Sequence, residues 1–345
     1  MIKEKKSSVS EDKRRQHIKA IRTIISFAVT AVCLLALCFA AMNIGSLKVG
    51  VDELFGGLFS GNLSDNAATV VDLRFPRIII SITAGAAIAV SGTLFQAVLK
   101  NPLADPGIIG ISGGASLAAV LITAFFPSMF FMIPIGACVG GIVAFALVYT
   151  LSWKGGLSPL RIILVGVAAS ALFSGISEAF NSMNGGNMQG VAAIVNGNIT
   201  MKTWDDVNMI LPYVCIGLAA SLFAAGGCNI LSLEDKTARS LGVNVSRMRI
   251  VVSVIAAVLV SVSTAAAGVI GFIGLIVPHI GRILVGSDHR KLIPYSALLG
   301  ALVFLCADTV GRTIAAPYEV SASVIMNIAG GPFFIILLRR SKKYA

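Results

Sequence analysis

Three arginines have the chemistry to bind a partner: Arg74, Arg77 and Arg312. The first two form the run Arg74-Phe-Pro-Arg77 at the start of one apolar segment, and Asp308-Thr-Val-Gly-Arg312 closes another. A guanidinium binds a carboxylate through two parallel N–H bonds, so these residues are suited to receiving acidic side chains of another protein. Asp308 lies one helical turn before Arg312 and is expected to orient it. The simpler alternative is that each arginine only reaches the nearest aqueous interface.

A short polar segment, Ser232–Gly242, lies between two long apolar segments. Its pattern predicts a separate helix with Ser232 as the N-cap, Asp235 at the reciprocal third position and Arg239 in the last turn. Gly242 is expected to end that helix in a left-handed conformation. A capped polar helix between apolar segments indicates a surface that a soluble partner binds, whereas the alternative is a solvated connector.

The sequence contains none of the arrangements needed for covalent or metal chemistry. Its three histidines, His17, His279 and His289, are far apart in the chain and form no Ser/His/Asp, metal-ligand or Walker pattern. The six cysteines all lie in apolar segments without metal-ligand spacing, which is typical of small core residues. We therefore predict no catalytic residue, no metal site and no cofactor, so that any energy from ATP must come from another chain.

The elements that carry these residues are predicted to cross a membrane. The chain is 56% hydrophobic and only 12% charged, and its mean hydropathy is +0.89. Long stretches such as Thr23–Leu47, Ile78–Leu99 and Pro106–Trp153 contain no charged residue. At roughly 20 residues per crossing, the apolar segments predict about ten transmembrane helices. The predicted fold class is an all-α polytopic membrane protein, with no soluble domain of its own.

The net charge of +11 reports the topology rather than a nucleic-acid partner. With both termini in the cytoplasm, all but five of the 27 Lys and Arg residues fall on the cytoplasmic side. The sequence therefore predicts a multi-pass protein of the cell membrane, with a basic N-terminal tail at 1–23, a transmembrane domain at 24–340 and a short C-terminal tail at 341–345. Residues 232–249 form the main cytoplasmic segment of that domain.

Two glycine runs divide the chain into one leading helix and two similar halves. Gly107–Gly113 and Gly268–Gly274 share the pattern G-x-x-G-x-x-G and follow the second and the seventh predicted span. An offset of five spans inserts the two halves in opposite directions, which predicts an inverted repeat. These glycines either allow short or interrupted helices along an internal pathway or only permit tight helix packing. No strand–helix unit surrounds them, which excludes a dinucleotide fingerprint.

Taken together, several motifs resemble the FecCD/BtuC-like membrane permeases of ABC importers for iron–siderophore, haem and cobalamin. The resemblance extends from about Leu73 to Arg340. The motifs that carry it are Leu73-Arg-Phe-Pro-Arg77, Gln96-Ala-Val-Leu-Lys-Asn-Pro-Leu-Ala-Asp-Pro106, Ala238-Arg-Ser-Leu-Gly-Val243, Gly271-Phe-Ile-Gly-Leu-Ile-Val-Pro-His279, Asp288-His-Arg290 and Ala307-Asp-Thr-Val-Gly-Arg312.

The resemblance implies a ten-helix subunit that dimerises with a second copy or a paralogue, with the translocation pathway at the dimer axis. It implies that Arg74, Arg77 and Arg312 receive acidic residues of an extracellular substrate-binding protein. It also implies a cytoplasmic gate at Ser158 and Pro159. The segment that couples the chain to a cytoplasmic ATP-binding subunit would comprise Leu233, Glu234, Thr237, Ala238, Arg239, Leu241 and Gly242.

The outer gate implied by the resemblance comprises Val195, Asn196, Gly197 and Asn198, where the family usually has a Trp and a Gly-Ser pair. The function implied is that of a permease subunit for an iron–siderophore complex. Haem or cobalamin is the alternative cargo. An ion-coupled secondary transporter acting alone is a competing class, although it would not need a cytoplasmic docking helix. A structural membrane scaffold is a third interpretation.

Overall fold

The computed structural model describes residues 2–43, 65–152, 159–183 and 189–340. These residues form helices and connecting segments, and none of them forms a β-strand. In chain order the helices are α1 Ile2–Asn43, α2 Asp65–Leu99, α3 Ile111–Phe125, a 3-10 helix Pro127–Met132, α4 Ile133–Ser152, α5 Pro159–Met183, α6 Gln189–Asn196, α7 Trp204–Leu231, α8 Asp235–Ser240, α9 Val245–Ala267, α10 Ile273–Val285, α11 His289–Ile314 and α12 Ala322–Arg340.

Ten apolar helical segments of the described chain account for the predicted spans. Seven of them are long and apolar enough to cross a bilayer, and α3, α10 and α12 are shorter apolar helices. Helices suit this environment because they satisfy every backbone N–H and C=O group internally. The predicted fold class, an all-α polytopic membrane protein of about ten helices, is confirmed.

Helix α2 forms the centre of the bundle and packs against α7, α9, α10 and α11. About 83% of its apolar span is buried, against 11% for that of α1. Glycines permit this packing: a Cβ added at Gly85 would lie 2.4 Å from the carbonyl oxygen of Gly300, and one at Gly92 would lie 2.0 Å from that of Gly274. Close approach between small residues is a usual way for helices to associate in lipid.

The two glycine runs precede the two short helices α3 and α10. Immediately before α3, Gly110 has a φ of 93°, and immediately before α10, Phe272 has a φ of 69°. Both helices therefore begin directly after a residue whose backbone lies in the left-handed α region. The structure bears out the expected short, interrupted helices at corresponding positions of the two halves.

Candidate functional site

The three predicted arginines lie together at one end of the bundle, which we call the Arg77 end. The Nε atom of Arg77 lies 3.1 Å from both carboxylate oxygens of Asp308, and its NH2 group lies 2.8 Å from Oδ1. Asp308 Oδ2 lies 3.5 Å from Nε of Arg312. The side chains of Arg77 and Asp308 are only 8% and 1% exposed, so this is a buried ion pair between α2 and α11.

Glu319, in the connection between α11 and α12, completes this group of charges. Its Oε2 atom lies 2.9 Å from NH1 of Arg77. Arg74 donates a hydrogen bond to the carbonyl of Met42, and NH2 of Arg312 donates to the carbonyl of Ala41 at 3.4 Å. We call Arg74, Arg77, Arg312, Asp308 and Glu319 the arginine cluster; it contains three cations and two acids.

Asp308 is the expected partner of Arg312, but its main contact is with Arg77 on another helix. Burial would raise the pKa of Glu319, but the hydrogen bond from Thr200 and the charge of Arg77 outweigh it and hold the pKa below its ordinary value. Sequence reasoning missed Glu319 as a partner of Arg77, because the two are 242 residues apart in the chain.

The polar segment at the opposite end, which we call the α8 end, forms a helix that begins later than predicted. Helix α8 spans Asp235–Ser240 and has Glu234 as its N-cap. The predicted cap by Ser232 is wrong, because the amide of Ser232 donates to the carbonyl of Cys228 and its hydroxyl does the same at 3.0 Å. Ser232 thus ends α7 in helical conformation and has no extended backbone with which to cap α8.

The end of α8 agrees with the prediction. Arg239 lies in its last turn, and Gly242 has a φ of 78° with no atom near the position of a Cβ. Leu233 and Leu241 are 42% and 61% exposed, and Ala238 is 1% exposed. Together with the exposed Thr237, the two leucines leave apolar surface beyond the ends of the membrane spans. Ala238 instead anchors the helix to the bundle.

Asp235 ties α8 to two neighbouring helices. Lys100, at the end of α2, lies 2.7 Å from its Oδ1 atom and also donates to the carbonyl of Leu233. Arg249, in the first turns of α9, donates to Oδ1 at 2.9 Å and to Oδ2 at 3.2 Å. The hydrogen bond from Lys100 and the nearby basic charges hold the pKa of Asp235 below its ordinary value. Sequence reasoning assigned Asp235 to a cap and missed both partners.

The two predicted gates differ in how much of them the structure describes. Ser158 lies outside the described residues, and Pro159 is the first residue of α5. The predicted outer gate falls at the end of α6, where Val195 is half-buried and Asn196 is the last helical residue. Gly197 follows with a φ of 61°, and Asn198 is exposed.

A cavity of about 650 Å³ lies beside α6, between it and the start of α7. Apolar residues form much of its wall, and Thr200, Lys202 and Asp206 add polar groups. Lys202 and Asp206 form an ion pair of 3.1 Å. Sequence reasoning had not identified this cavity, because its walls come from α3, the 3-10 helix, α4, α6, α7 and α9, and no single stretch of sequence marks it.

Comparison with known proteins identifies the family of this chain. The FecCD transport family matches residues 33–340. The chain is 37% identical over 332 residues to the iron(3+)-hydroxamate import system permease protein FhuG of Bacillus subtilis, covering 94% of this chain and 99% of FhuG. It is 36% identical over 317 residues to the "Probable heme-iron transport system permease protein IsdF" of Staphylococcus aureus, covering 92% of this chain and 96% of IsdF.

A solved structure has the same fold. The structure titled "An inward-facing conformation of a putative metal-chelate type ABC transporter" superposes on this chain with a TM-score of 0.77 and 27% sequence identity. The match covers 91% of this chain and 98% of that one. The family match and the two relatives cover nearly the whole membrane domain, including the arginine cluster and α8. The resemblance inferred from the motifs is therefore confirmed, and the chain belongs to the FecCD transport family.

Proposed function

We propose that this chain is the membrane permease subunit of an ATP-binding cassette importer for an iron–siderophore complex. The observation that carries the proposal is α8: a short helix beyond the membrane spans, tethered through Asp235 and presenting exposed Leu233 and Leu241. A transporter acting alone has no use for such a docking surface. FhuG, by its name, imports iron(3+)-hydroxamate, which supports a siderophore as cargo.

The proposed partners are a cytoplasmic ATP-binding subunit at the α8 end, an extracellular binding protein at the Arg77 end, and a second copy or paralogue of the permease. Both termini and α8 then lie in the cytoplasm of a cell-membrane protein. The binding protein docks through acidic residues on Arg74, Arg77 and Arg312, while ATP hydrolysis stays in the partner subunit. We place the cytoplasmic gate at Ser158 and Pro159, and the outer gate at the end of α6.

Haem import is the second candidate, because IsdF is almost as similar to this chain as FhuG is and its name describes heme-iron transport. The two functions differ in cargo but not in mechanism. A planar, apolar haem and a polar siderophore would be distinguished mainly by the binding protein, since the permease must release what it carries.

Uptake by cells that lack the gene and by complemented cells tests the proposal. Labelled ferric hydroxamate siderophores, haem and cobalamin are supplied separately, with and without a functional ATP-binding partner. We expect uptake of a ferric siderophore that requires both this chain and ATP hydrolysis by the partner. Uptake of haem alone would select the second candidate. Transport into vesicles that contain this chain without an ATPase would contradict the whole proposal and favour a secondary transporter.

A further inference from the structure

At the Arg77 end, one carboxylate oxygen of Glu319 contacts two parts of the chain that are distant in sequence, the central helix α2 and the segment that follows α6. Glu319 Oε2 accepts a hydrogen bond from NH1 of Arg77 at 2.9 Å and another from the hydroxyl of Thr200 at 2.8 Å. Arg77 belongs to the central helix α2, whereas Thr200 lies four residues beyond the end of α6. Glu319 is therefore a bridge between the arginine cluster and the segment that follows α6.

The same segment is held by a second set of contacts to the start of α12. The hydroxyl of Ser323 donates to the carbonyl of Asn196 at 3.2 Å. A Cβ on Gly197 would lie 3.0 Å from that hydroxyl oxygen, so the backbone passes close to α12. Asn198 Oδ1 closes the turn by accepting the amide N–H of Thr200 at 2.8 Å. The same oxygen lies 2.5 Å from the Thr200 hydroxyl, which is therefore shared between Asn198 and Glu319. The end of α6 is thus fixed by Ser323 on one side and by Glu319 on the other.

The two acids that contact Arg77 differ in solvent exposure, and this difference determines which of them a carboxylate of another protein can replace. Asp308 is 1% exposed and grips the Nε and NH2 edge of the guanidinium, whereas Glu319 is 37% exposed and occupies only NH1. An approaching carboxylate can therefore reach NH1 without breaking the buried pair. Because the cluster has three cations and two acids, exchanging one acid for another preserves its charge balance.

We propose that Glu319 is a positioning residue for docking: an acidic side chain of the binding protein displaces it from Arg77, and the end of α6 is thereby released. This inference rests on the proposed function. Before docking, Glu319 neutralises Arg77 and holds Thr200. On docking, the incoming carboxylate takes NH1, Glu319 swings outward, and Thr200 loses its link to the arginine cluster and keeps only its contact with Asn198 in the same turn. Docking thereby releases the end of α6 and the residues that follow it, which line the 650 Å³ cavity.

Hydrogen exchange measured on the assembled complex in lipid nanodiscs tests this inference. The variants are Glu319→Gln, which makes the competing group neutral, and Thr200→Val, which removes the tether and keeps the shape. Glu178→Gln, at an exposed glutamate of α5, is the matched control. We expect peptides covering 189–203 to exchange about tenfold faster in Thr200→Val, which loses a hydrogen bond to a charged group, and about threefold faster in Glu319→Gln, whose amide oxygen still accepts that bond without the charge. Exchange should be unchanged in the control.

The binding protein of the same system, loaded with its cargo, provides the second readout. Its addition should raise exchange in 189–203 of the wild-type chain and cause little further rise in either variant. Its dissociation constant should fall about three- to tenfold in both variants, because Glu319→Gln removes a charged competitor for Arg77 and Thr200→Val removes a bond that docking otherwise has to break.

The two proposals fail in different ways. If the binding protein docks on the wild-type complex but leaves exchange in 189–203 unchanged, or if neither variant alters that exchange, Glu319 is not a docking-sensitive tether and the proposed function still stands. If no binding protein docks on the wild-type complex and uptake is independent of ATP, the proposed function itself is wrong and the inference falls with it.

Discussion

At the Arg77 end, one guanidinium is shared between two acids of very different exposure. The pair between Arg77 and Asp308 is almost fully excluded from water, whereas Glu319 is more than one-third exposed. Removing one member of a buried pair strands the other charge, while an exposed pair is screened by solvent. Asp308 therefore contributes to holding α2 against α11, and Glu319 is the member free to exchange partners.

This difference predicts unequal effects of two isosteric substitutions on stability. We expect Asp308→Asn to lower the free energy of unfolding by about 3–5 kcal/mol, because Arg77 loses its buried counter-charge. Glu319→Gln should cost no more than about 1 kcal/mol, since solvent screens that pair. Thermal unfolding of both variants in the same detergent measures the difference. Equal losses would contradict the assignment of the buried pair to Asp308.

Arg74 gives the cleaner test of docking, because its side chain is only half-buried, whereas that of Arg77 lies in the buried ion pair with Asp308. Arg74→Glu places a like charge opposite an acidic partner surface, which costs several kcal/mol. We expect cellular uptake to fall at least tenfold, while co-purification with the ATP-binding subunit stays normal. Arg74→Lys, which keeps the charge, is the control and should retain most of the uptake. Normal uptake with Arg74→Glu would argue against a docking role.

The residue types identified the arginines of the arginine cluster, but their spacing in the sequence could not show which arginine pairs with which acid. The run Arg74-Phe-Pro-Arg77 and the one-turn spacing of Asp308 and Arg312 were visible in the sequence. Asp308 lies closer to Arg77, 231 residues away in the chain, than to Arg312 on its own helix, and this depends on how α2 and α11 pack. The same holds for Asp235, whose local spacing suggested a cap and whose actual partners lie on α2 and α9.

Among the helices, α8 combines a fixed side with an exposed side. Lys100 and Arg249 hold Asp235, and Ala238 is buried against the bundle, while Leu233 and Leu241 remain open to a partner. Under the proposed function, these contacts connect the open side of α8 to α2 and α9, so that a movement of the ATP-binding subunit reaches both helices. The prediction of a separate polar helix was correct, although its start was misplaced because Ser232 continues the ladder of α7.

Leu241→Asp tests whether the open side carries the coupling. Placing a charge on an apolar contact surface should leave the permease folded but reduce stimulation of ATP hydrolysis by the loaded binding protein at least tenfold. Leu241→Met, which keeps the surface apolar, should preserve the stimulation. The ATPase rate of the reconstituted complex, with and without the binding protein, is the measurement. Unchanged stimulation in Leu241→Asp would oppose a coupling role for this face.

The tether at Asp235 predicts a specific pH response of α8. Because its pKa is lowered in the fold, the carboxylate contributes stability above its ordinary pKa and loses that contribution only as the pH falls through the lowered value. Hydrogen exchange of 233–242 should therefore show constant protection between about pH 5 and 8, after correction for the intrinsic rate. Asp235→Asn should lose protection throughout that range. A loss of wild-type protection near pH 6 would contradict the assigned ion pairs.

At the scale of the whole molecule, two opposed halves pack around α2. The number of apolar segments and the five-span offset between the glycine runs predicted this architecture, because both can be counted along the sequence without knowing how the helices pack. The cavity beside α6 was harder to predict, because several helices form its walls. The glycine runs left two interpretations open, tight packing or interrupted helices, and the structure shows both: α3 and α10 are short, and Gly274 contacts Gly92.

The two halves meet closely where α2 crosses α10 at Gly92, and this contact gives the last prediction. A Cβ there would lie 2.0 Å from the carbonyl oxygen of Gly274, so Gly92→Ala must push the two backbones apart. Forced separation in a packed core costs about 1–3 kcal/mol. Gly226→Ala, in α7, meets no atom within 4 Å and should be neutral or slightly stabilising, because alanine favours helix. Thermal unfolding of the two variants is the measurement: if they are equally stable, the two halves do not touch at this point.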